Sequence, residues 1–384
     1  MSKGRARSKS ADARFMARAL ALARRALGRT HPNPAVGAVL VRSGRVVGEG
    51  FTAPAGGPHA EVRAIRAAGA RARGADLYVT LEPCAHFGRT PPCVEALLPL
   101  GLRRVVVATV DPNPRVRGRG LRRLRAAGVT VSVGLGEDEA RAIMAGYRSH
   151  VVRGRPLVTL KMATTLDGRI AARTGDARWI TGPAARRRAH ELRDVHDAIL
   201  VGAGTVRTDD PELTCRIPGG RNPVRVIVCG SALDLPARAR VLDTHTAATV
   251  IVTPVGADPH RVMRLRRRGV DVVAVPGRRG SMSAAGLMKT LAARGLTSLL
   301  VEGGAVVAAD LLRARLVDRV VWFVAPSFLG ADGIPAIASL GVDRAGSALR
   351  LDDVEVERLG TDIVVTASVR SEGRRPFAST WPPR

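Results

Sequence analysis

At 384 residues, 46% hydrophobic and 24% charged, the chain can bury two separate cores. No uncharged apolar run in it approaches the about 18–20 residues that a membrane helix needs. The net charge of +28 predicts attraction to phosphates, yet only Lys3, Lys9, Lys161 and Lys289 are lysine, and the arginines are scattered without interleaved aromatics, which favours solvated faces or small phosphate esters over nucleic acid.

In chain order, residues 1–10 read as a basic mobile tail, and residues 11–27 carry Phe15, Ala19, Leu22 and Ala26 at helical spacing. The stretch AVGAVLV-RSG-RVVGEG predicts two strands joined by a short glycine-containing turn. A helix follows over 59–69, then a strand at DLYVTL, a helix from about Pro92, a strand at RRVVVAT, a helix near 118–127 and a strand at VTVSVG. This alternation implies a layered α/β domain over 11–150, closed by a helix at 137–149 and the polar junction RGRP. A second series of strands runs through LVTLKMA, DAILVGAG, PVRVIVCG, ATVIVTP, VDVVAVPG, SLLVEGG and DRVVWFVAP to DIVVTASV, with helices between. It forms a second α/β domain over 155–370, followed by a mobile tail at 371–384. Neither half repeats the other.

The chemistry concentrates in GGPHAEVRAI and LEPCAHFGRTPPC. His59, Cys84 and Cys93 suit tetrahedral zinc, and three protein ligands leave a fourth position for water, as in catalytic sites. A structural zinc takes a fourth protein ligand, for which His86 is the nearby competitor. Both cysteines follow prolines near predicted helix starts, where backbone N–H groups and the helix dipole favour thiolates. Glu61, two residues past His59, can stand beside the metal without ligating it and move a proton between water and a leaving amine. A lone His or Cys packs in a core more often than it binds metal. The joint pattern H-A-E, then P-C, eight residues, C, is much harder to reach by chance, and it matches the H-x-E…P-C signature of zinc nucleobase deaminases. It departs from that signature in the gap, which is usually two residues. Four cysteines and no export signal fit the cytoplasm, where cysteines bind metal or catalyse more often than they pair.

The longer gap points to a narrower group. HPNPAVGAVLV, PHAEVRAI, LEPCAHFGRTPPC and DPNPRVRGRGLRRLRAAGV together resemble the bifunctional riboflavin-biosynthesis deaminase/reductase family, in which that inter-cysteine loop is normal. The resemblance implies an N-terminal three-layer cytidine-deaminase-like domain followed by a dihydrofolate-reductase-like α/β domain. By the same resemblance His59, Cys84 and Cys93 bind Zn2+ and Glu61 shuttles the proton. Asn33 in the HPNP turn then belongs to the pyrimidine pocket, although an Asn between prolines also serves as a plain turn former.

The second half has neither a Walker loop nor G-x-G-x-x-G. Its candidate phosphate cradle is LLVEGGAVVAADLL, a strand, two glycines and a helix; alone this is weak, because such a pair is usually a turn. LKMATTLDGRIA and WITGPAARRRAHELRDVHDAILVGAGTVRTDDPELTCR resemble the reductase half of the same family, so the resemblance spans roughly residues 12–370. It implies NADPH held by Ala163, Trp179, Thr205, Asp209 and the run Gly304, Ala305, Val306, Val307, Ala308, Ala309, Asp310. It places Ala177, Arg193, Leu213, Arg216 and Glu302 on the substrate and makes Lys161 a functional lysine. Arg193 and Arg216 suit a ribose 5-phosphate as fork-shaped donors, against the alternative of surface arginines; Trp179 could equally be core, and Asp209 a turn former. Ala177 stands where the family often has Ser.

The implied activity is zinc-dependent deamination of 2,5-diamino-6-ribosylamino-4(3H)-pyrimidinone 5′-phosphate, then NADPH-dependent reduction of the ribosyl chain of the product. The implied enzyme is a homo-oligomer acting on small molecules, with no nucleic-acid or membrane partner. Two alternatives stand beside it: a paralogue serving another pathway's pyrimidine, and an RNA-binding deaminase motivated by the charge.

Overall fold

The structure is a computed structural model that describes residues 2–88, 90–277 and 281–370, with side chains from Ser10 onward. The tail expected at 371–384 lies outside the described residues. The chain divides between Arg153 and Gly154 into two compact units.

The first unit runs α1 (Ser2–Ala26), β1 (Gly37–Arg42), β2 (Arg45–Phe51), α2 (Ala60–Ala68), β3 (Asp76–Leu81), α3 (Cys93–Leu97), β4 (Arg104–Thr109), α4 (Arg119–Ala126), β5 (Thr130–Val133), α5 (Glu137–Ile143) and α6 (Ala145–Arg153). Its five-stranded sheet has the order β2-β1-β3-β4-β5. β1 pairs antiparallel with both β2 and β3, whereas β3, β4 and β5 are parallel. All six residues of β3 are buried, as expected for a central strand covered on both faces. Residues 2–10, expected as a tail, are helical: no proline interrupts them, and extending a helix already nucleated by the packed Phe15, Met16, Ala19 and Ala23 is cheap. Small residues let α2 lie directly on β2. A Cβ on Gly48 would run into the Ala64 carbonyl, and one on Gly50 would come within 2.6 Å of the Ala60 carbonyl. That close approach fixes where the start of α2, and so His59 and Glu61, can lie.

The second unit runs β6 (Leu157–Thr165), β7 (Arg169–Ala171), α7 (Pro183–Val195), β8 (Ala198–Gly202), α8 (Ala203–Asp209), β9 (Val224–Val228), β10 (Thr249–Pro254), α9 (Pro259–Arg267) and β11 (Asp271–Val275). It continues with α10 (Ala284–Ala293), β12 (Ser298–Glu302), α11 (Ala305–Arg313), β13 (Arg319–Ala325), β14 (Ile334–Pro335), β15 (Leu351–Leu359) and β16 (Asp362–Val369). A nine-stranded sheet has the order β11-β10-β9-β8-β12-β6-β13-β16-β15, parallel as far as β13 and antiparallel beyond. β7 and β14 form a separate two-stranded ribbon. Helices cover both faces, which is why the parallel strands read as continuous apolar runs. β12 is inserted between β6 and β8, so the chain leaves β6 for β8 and returns later to fill the gap. In open α/β sheets a crevice forms outside the carboxyl ends of strands at such a reversal, and Lys161, Gly202, Val228 and Glu302 all line one there.

Candidate active sites

In the first unit, His59 is the N-cap residue of α2 and Cys93 is the first residue of α3. Cys84 comes from the loop after β3 and does not start a helix of its own, contrary to the sequence expectation. Its thiol is served by the start of α3 instead: the Cys93 amide donates to Cys84 Sγ at 3.2 Å, and the Val94 amide donates to the Cys84 carbonyl at 3.2 Å. His59 Nδ1 lies 3.1 Å from Cys93 Sγ and 3.6 Å from Cys84 Sγ, and the three donor atoms all fall within 4.8 Å of one another. Zinc–sulfur bonds of about 2.3 Å and zinc–nitrogen bonds of about 2.0–2.1 Å set tetrahedral ligand atoms about 3.5–3.8 Å apart, so the donors fit that ion. Hydrogen bonding from Cys93, together with His59, holds the Cys84 thiol well below its ordinary range, toward the thiolate that ligates metal.

Glu61 is 4% exposed and lines the same cavity of about 280 Å³. Burial, reinforced by the neighbouring Cys84, pushes its carboxyl up to about 7. Asn33 and His86 also line this cavity, and His86 stays outside the three-donor cluster. The lining also includes Glu82, Asp111, Asn113 and Tyr147, to which the sequence reading assigned no role. The Tyr147 hydroxyl donates to Asp111 at 3.2 Å. Glu82 accepts from the Gly118 and Gly120 amides at 2.8 and 2.9 Å, tying the start of α4 to the Cys84 loop. One signal was available: Asn113 sits in DPNP, which repeats the P-N-P of HPNP around Asn33.

In the second unit a cleft of about 750 Å³ opens at the carboxyl ends of β6, β8, β9 and β12. Its wall contains Lys161, Ala163, Ala177, Arg193, Thr205, Asp209, Leu213 and Glu302, together with Gly304, Ala305, Val306 and Val307. It also contains Gly202, Ala203 and Gly204 at the β8–α8 turn, which the sequence reading passed over although ILVGAG repeats the strand-then-glycine pattern of LLVEGG. Gly303 and Gly304 both have φ near +80°, a conformation that side chains resist, and they deliver the amino end of α11 to the cleft. Such a turn suits the diphosphate of a dinucleotide, so this wall fits NADPH. Gly304→Ala is therefore expected to raise the KM for NADPH about tenfold through backbone strain of about 1–2 kcal/mol. The deaminase rate, measured beside it, should not move.

Five expected contacts fall outside the cleft wall. Ala308 and Ala309 are wholly buried beneath α11, and Asp310 pairs with Arg313 on its solvent side, because only the first turn of a helix faces what its amino end faces. Trp179 is 73% exposed, with the Arg186 guanidinium 4.4 Å from its ring. Arg216 is half exposed and turns Nη1 to Glu212 and Thr214 at 2.9 and 3.0 Å.

Arg193 lines the cleft, but its fork is engaged. Nε and Nη2 each donate to the Glu302 carboxylate at 2.8 Å, and Nη1 donates to the Thr214 carbonyl. Its place is thus to hold Glu302 rather than to offer a free fork to phosphate. Lys161 Nζ lies 3.9 Å from the same carboxylate. Burial would raise the Glu302 carboxyl, but the Arg193 charge and hydrogen bonds, with Lys161 behind them, hold it down at about 2. Burial lowers the Lys161 ammonium, and the Glu302 charge opposes that.

Comparison with known proteins covers both units. Residues 9–109 match the model for the cytidine and deoxycytidylate deaminase zinc-binding region, and residues 156–365 match that for the RibD C-terminal domain. The chain is 43% identical over 355 residues to riboflavin biosynthesis protein RibD of Aquifex aeolicus, covering 92% of this chain and 97% of that one. It is 40% identical over 367 residues to RibD of Escherichia coli, covering 92% and 98%. Among solved structures, Acinetobacter baumannii RibD superposes with a TM-score of 0.84 at 36% identity, over 94% of this chain and 100% of that one. The Thermotoga maritima diaminohydroxyphosphoribosylaminopyrimidine deaminase/5-amino-6-(5-phosphoribosylamino)uracil reductase superposes with a TM-score of 0.83 at 37% identity, with the same coverage.

Proposed function

The chain belongs to the RibD family of bifunctional deaminase/reductases of riboflavin biosynthesis, and from that premise we propose that each reaction runs in the cavity of one unit. The observation that carries this reading is the convergence of His59, Cys84 and Cys93 beside the buried Glu61.

In the first unit His59, Cys84 and Cys93 would hold zinc, which when bound would supply Lewis-acid activation of the attacking water. Glu61 takes the proton that this water loses as it adds to the carbon bearing the 2-amino group. It returns that proton to the nitrogen, which leaves as ammonia. Asn33 at the cavity wall orients the pyrimidine.

In the second unit the Gly303–Gly304 turn and the first turn of α11 would hold NADPH, which when bound would supply the hydride. Reduction at C1′ of the ring-opened sugar imine would require a proton at its nitrogen. Lys161, whose ammonium Glu302 supports against the lowering by burial, is the candidate donor of that proton. Arg193 anchors Glu302, and Leu213, on the cleft wall, belongs to the loop that takes the phosphoribosyl end on this reading, with Arg216 on the same loop outside the wall.

On the same reading the enzyme is a cytoplasmic homo-oligomer without a nucleic-acid partner; among the described residues no helix is long and apolar enough to cross a membrane. The test is a two-stage assay on purified full-length protein. Ammonia should be released from the diaminopyrimidine, and NADPH should be oxidised only once the deaminated product is present. No NADPH oxidation with that product would discard the reading. Salt-steep retention of RNA at physiological ionic strength would favour the RNA-binding alternative.

A further inference from the structure

The loop between α8 and β9 carries Leu213 and Arg216 and is laced to α7. Arg193 Nη1 donates to the Thr214 carbonyl at 2.9 Å, the Cys215 thiol donates to the His190 carbonyl at 3.3 Å, and the Arg221 amide donates to Asp194 Oδ1 at 2.7 Å. Between them, the Arg216 amide donates to His190 Nδ1 at 3.3 Å. His190 therefore presents Nδ1 as an acceptor, which fixes the neutral tautomer with its proton on Nε2. Of these four acceptors, the imidazole is the one whose charge changes near neutral pH. His190 and Arg193 are one turn apart on α7, so the grip on the loop and the grip on Glu302 share one helix face.

We propose that His190 is a positioning residue of the reductase: its neutral ring latches the 212–216 loop to α7 and so holds Leu213 on the cleft wall toward the phosphoribosyl end of the substrate. The proposal rests on the assignment of that loop to the substrate made above. Protonation would put an N–H on Nδ1 against the Arg216 N–H, two donors face to face, and the bond would be lost. The charged groups facing the ring are Arg193 on α7, Arg216 on the loop and Glu302 at the end of β12, with the Thr214 carbonyl alongside. Burial and then the two arginines lower the histidine below its ordinary value, against the opposing pull of Glu302 and Thr214. The latch accordingly holds through the ordinary histidine range and is released as pH falls through the lowered value.

Steady-state reduction of the deaminated substrate by full-length protein, followed across pH, tests this. His190→Phe removes the acceptor and is expected to raise the KM for the phosphoribosylaminouracil about 3–10-fold, the effect of one hydrogen bond, with kcat within about twofold and the KM for NADPH unmoved. His190→Asn keeps an oxygen that can accept the same N–H but does not titrate. It should restore KM and abolish the acid-side rise in KM that the wild type shows. Leu213→Ala, which alters the loop's side chain on the cleft wall, separates loop from latch. If it leaves KM unchanged, the loop does not face substrate and the underlying assignment fails. If it raises KM but His190→Phe does not, the latch alone is overturned. A His190→Asn enzyme that keeps the wild-type acid-side rise also overturns it.

Discussion

Glu61→Gln is expected to lower deamination by about 10²–10⁴-fold, the usual worth of a positioned general acid–base group. Zinc content and the reduction of deaminated substrate should stay at wild-type levels. The amide has the same shape and sits in the same buried position at the second residue after His59, so the cluster of ligand atoms is undisturbed. What it cannot do is accept a proton. Ammonia release, metal analysis and NADPH oxidation on one preparation check all three statements. Loss of zinc would move Glu61 into the ligand set, and undiminished ammonia release would remove it from the reaction.

Glu302→Ala should abolish reduction and destabilise the second unit by about 3–5 kcal/mol, the cost of leaving buried charge without its partner. Arg193 and Lys161 both depend on this carboxylate. Without it the burial that already lowers Lys161 is unopposed, and the ammonium loses its proton more readily. The wild-type pair also carries a pH signature. Because the folded carboxyl is held at about 2, below its ordinary 4.5, its stabilisation is complete above the ordinary value. It is lost as pH falls through the folded one. Denaturant unfolding of wild type and Glu302→Ala between neutral and acid pH should therefore converge at the acid end. Equal stability at neutral pH would show that the pair contributes nothing.

The three-donor cluster that could hold zinc was legible in the sequence because its parts lie at short, fixed offsets from helix starts. His59 caps α2, Glu61 follows within its first turn, and Cys93 opens α3. Cys84 was legible as a member of the cluster but not in its setting, since the helix that serves it is the one begun by Cys93. Asp111 and Tyr147 reach the cavity from segments far from these motifs, and only the fold brings them there. In the second unit, the run after Gly304 looked like one binding segment. A helix turns its residues through solvent, cleft and core in succession, so Val306 and Val307 reach the cleft while Ala308 and Ala309 reach the core. Arg193 could be read as a fork-shaped donor, but the carboxylate that occupies it lies 109 positions away. β15 escaped because LDDVEVERL buries neither face: Val354 and Val356 are exposed beside acids, on an edge strand defined by its pairing with β16. β7 and β14 are too short to show any period.

The account stands on a zinc ion held by three side chains next to a proton-carrying carboxylate. The most direct measurement is zinc per chain, by metal analysis, in wild type, His59→Ala, Cys84→Ser and Cys93→Ser, with ammonia release and NADPH oxidation recorded on each. The expected result is a single zinc ion in the wild type, lost together with deamination in every variant while reduction of deaminated substrate continues. Full zinc occupancy in Cys93→Ser, or ammonia release from zinc-free wild type, would contradict it.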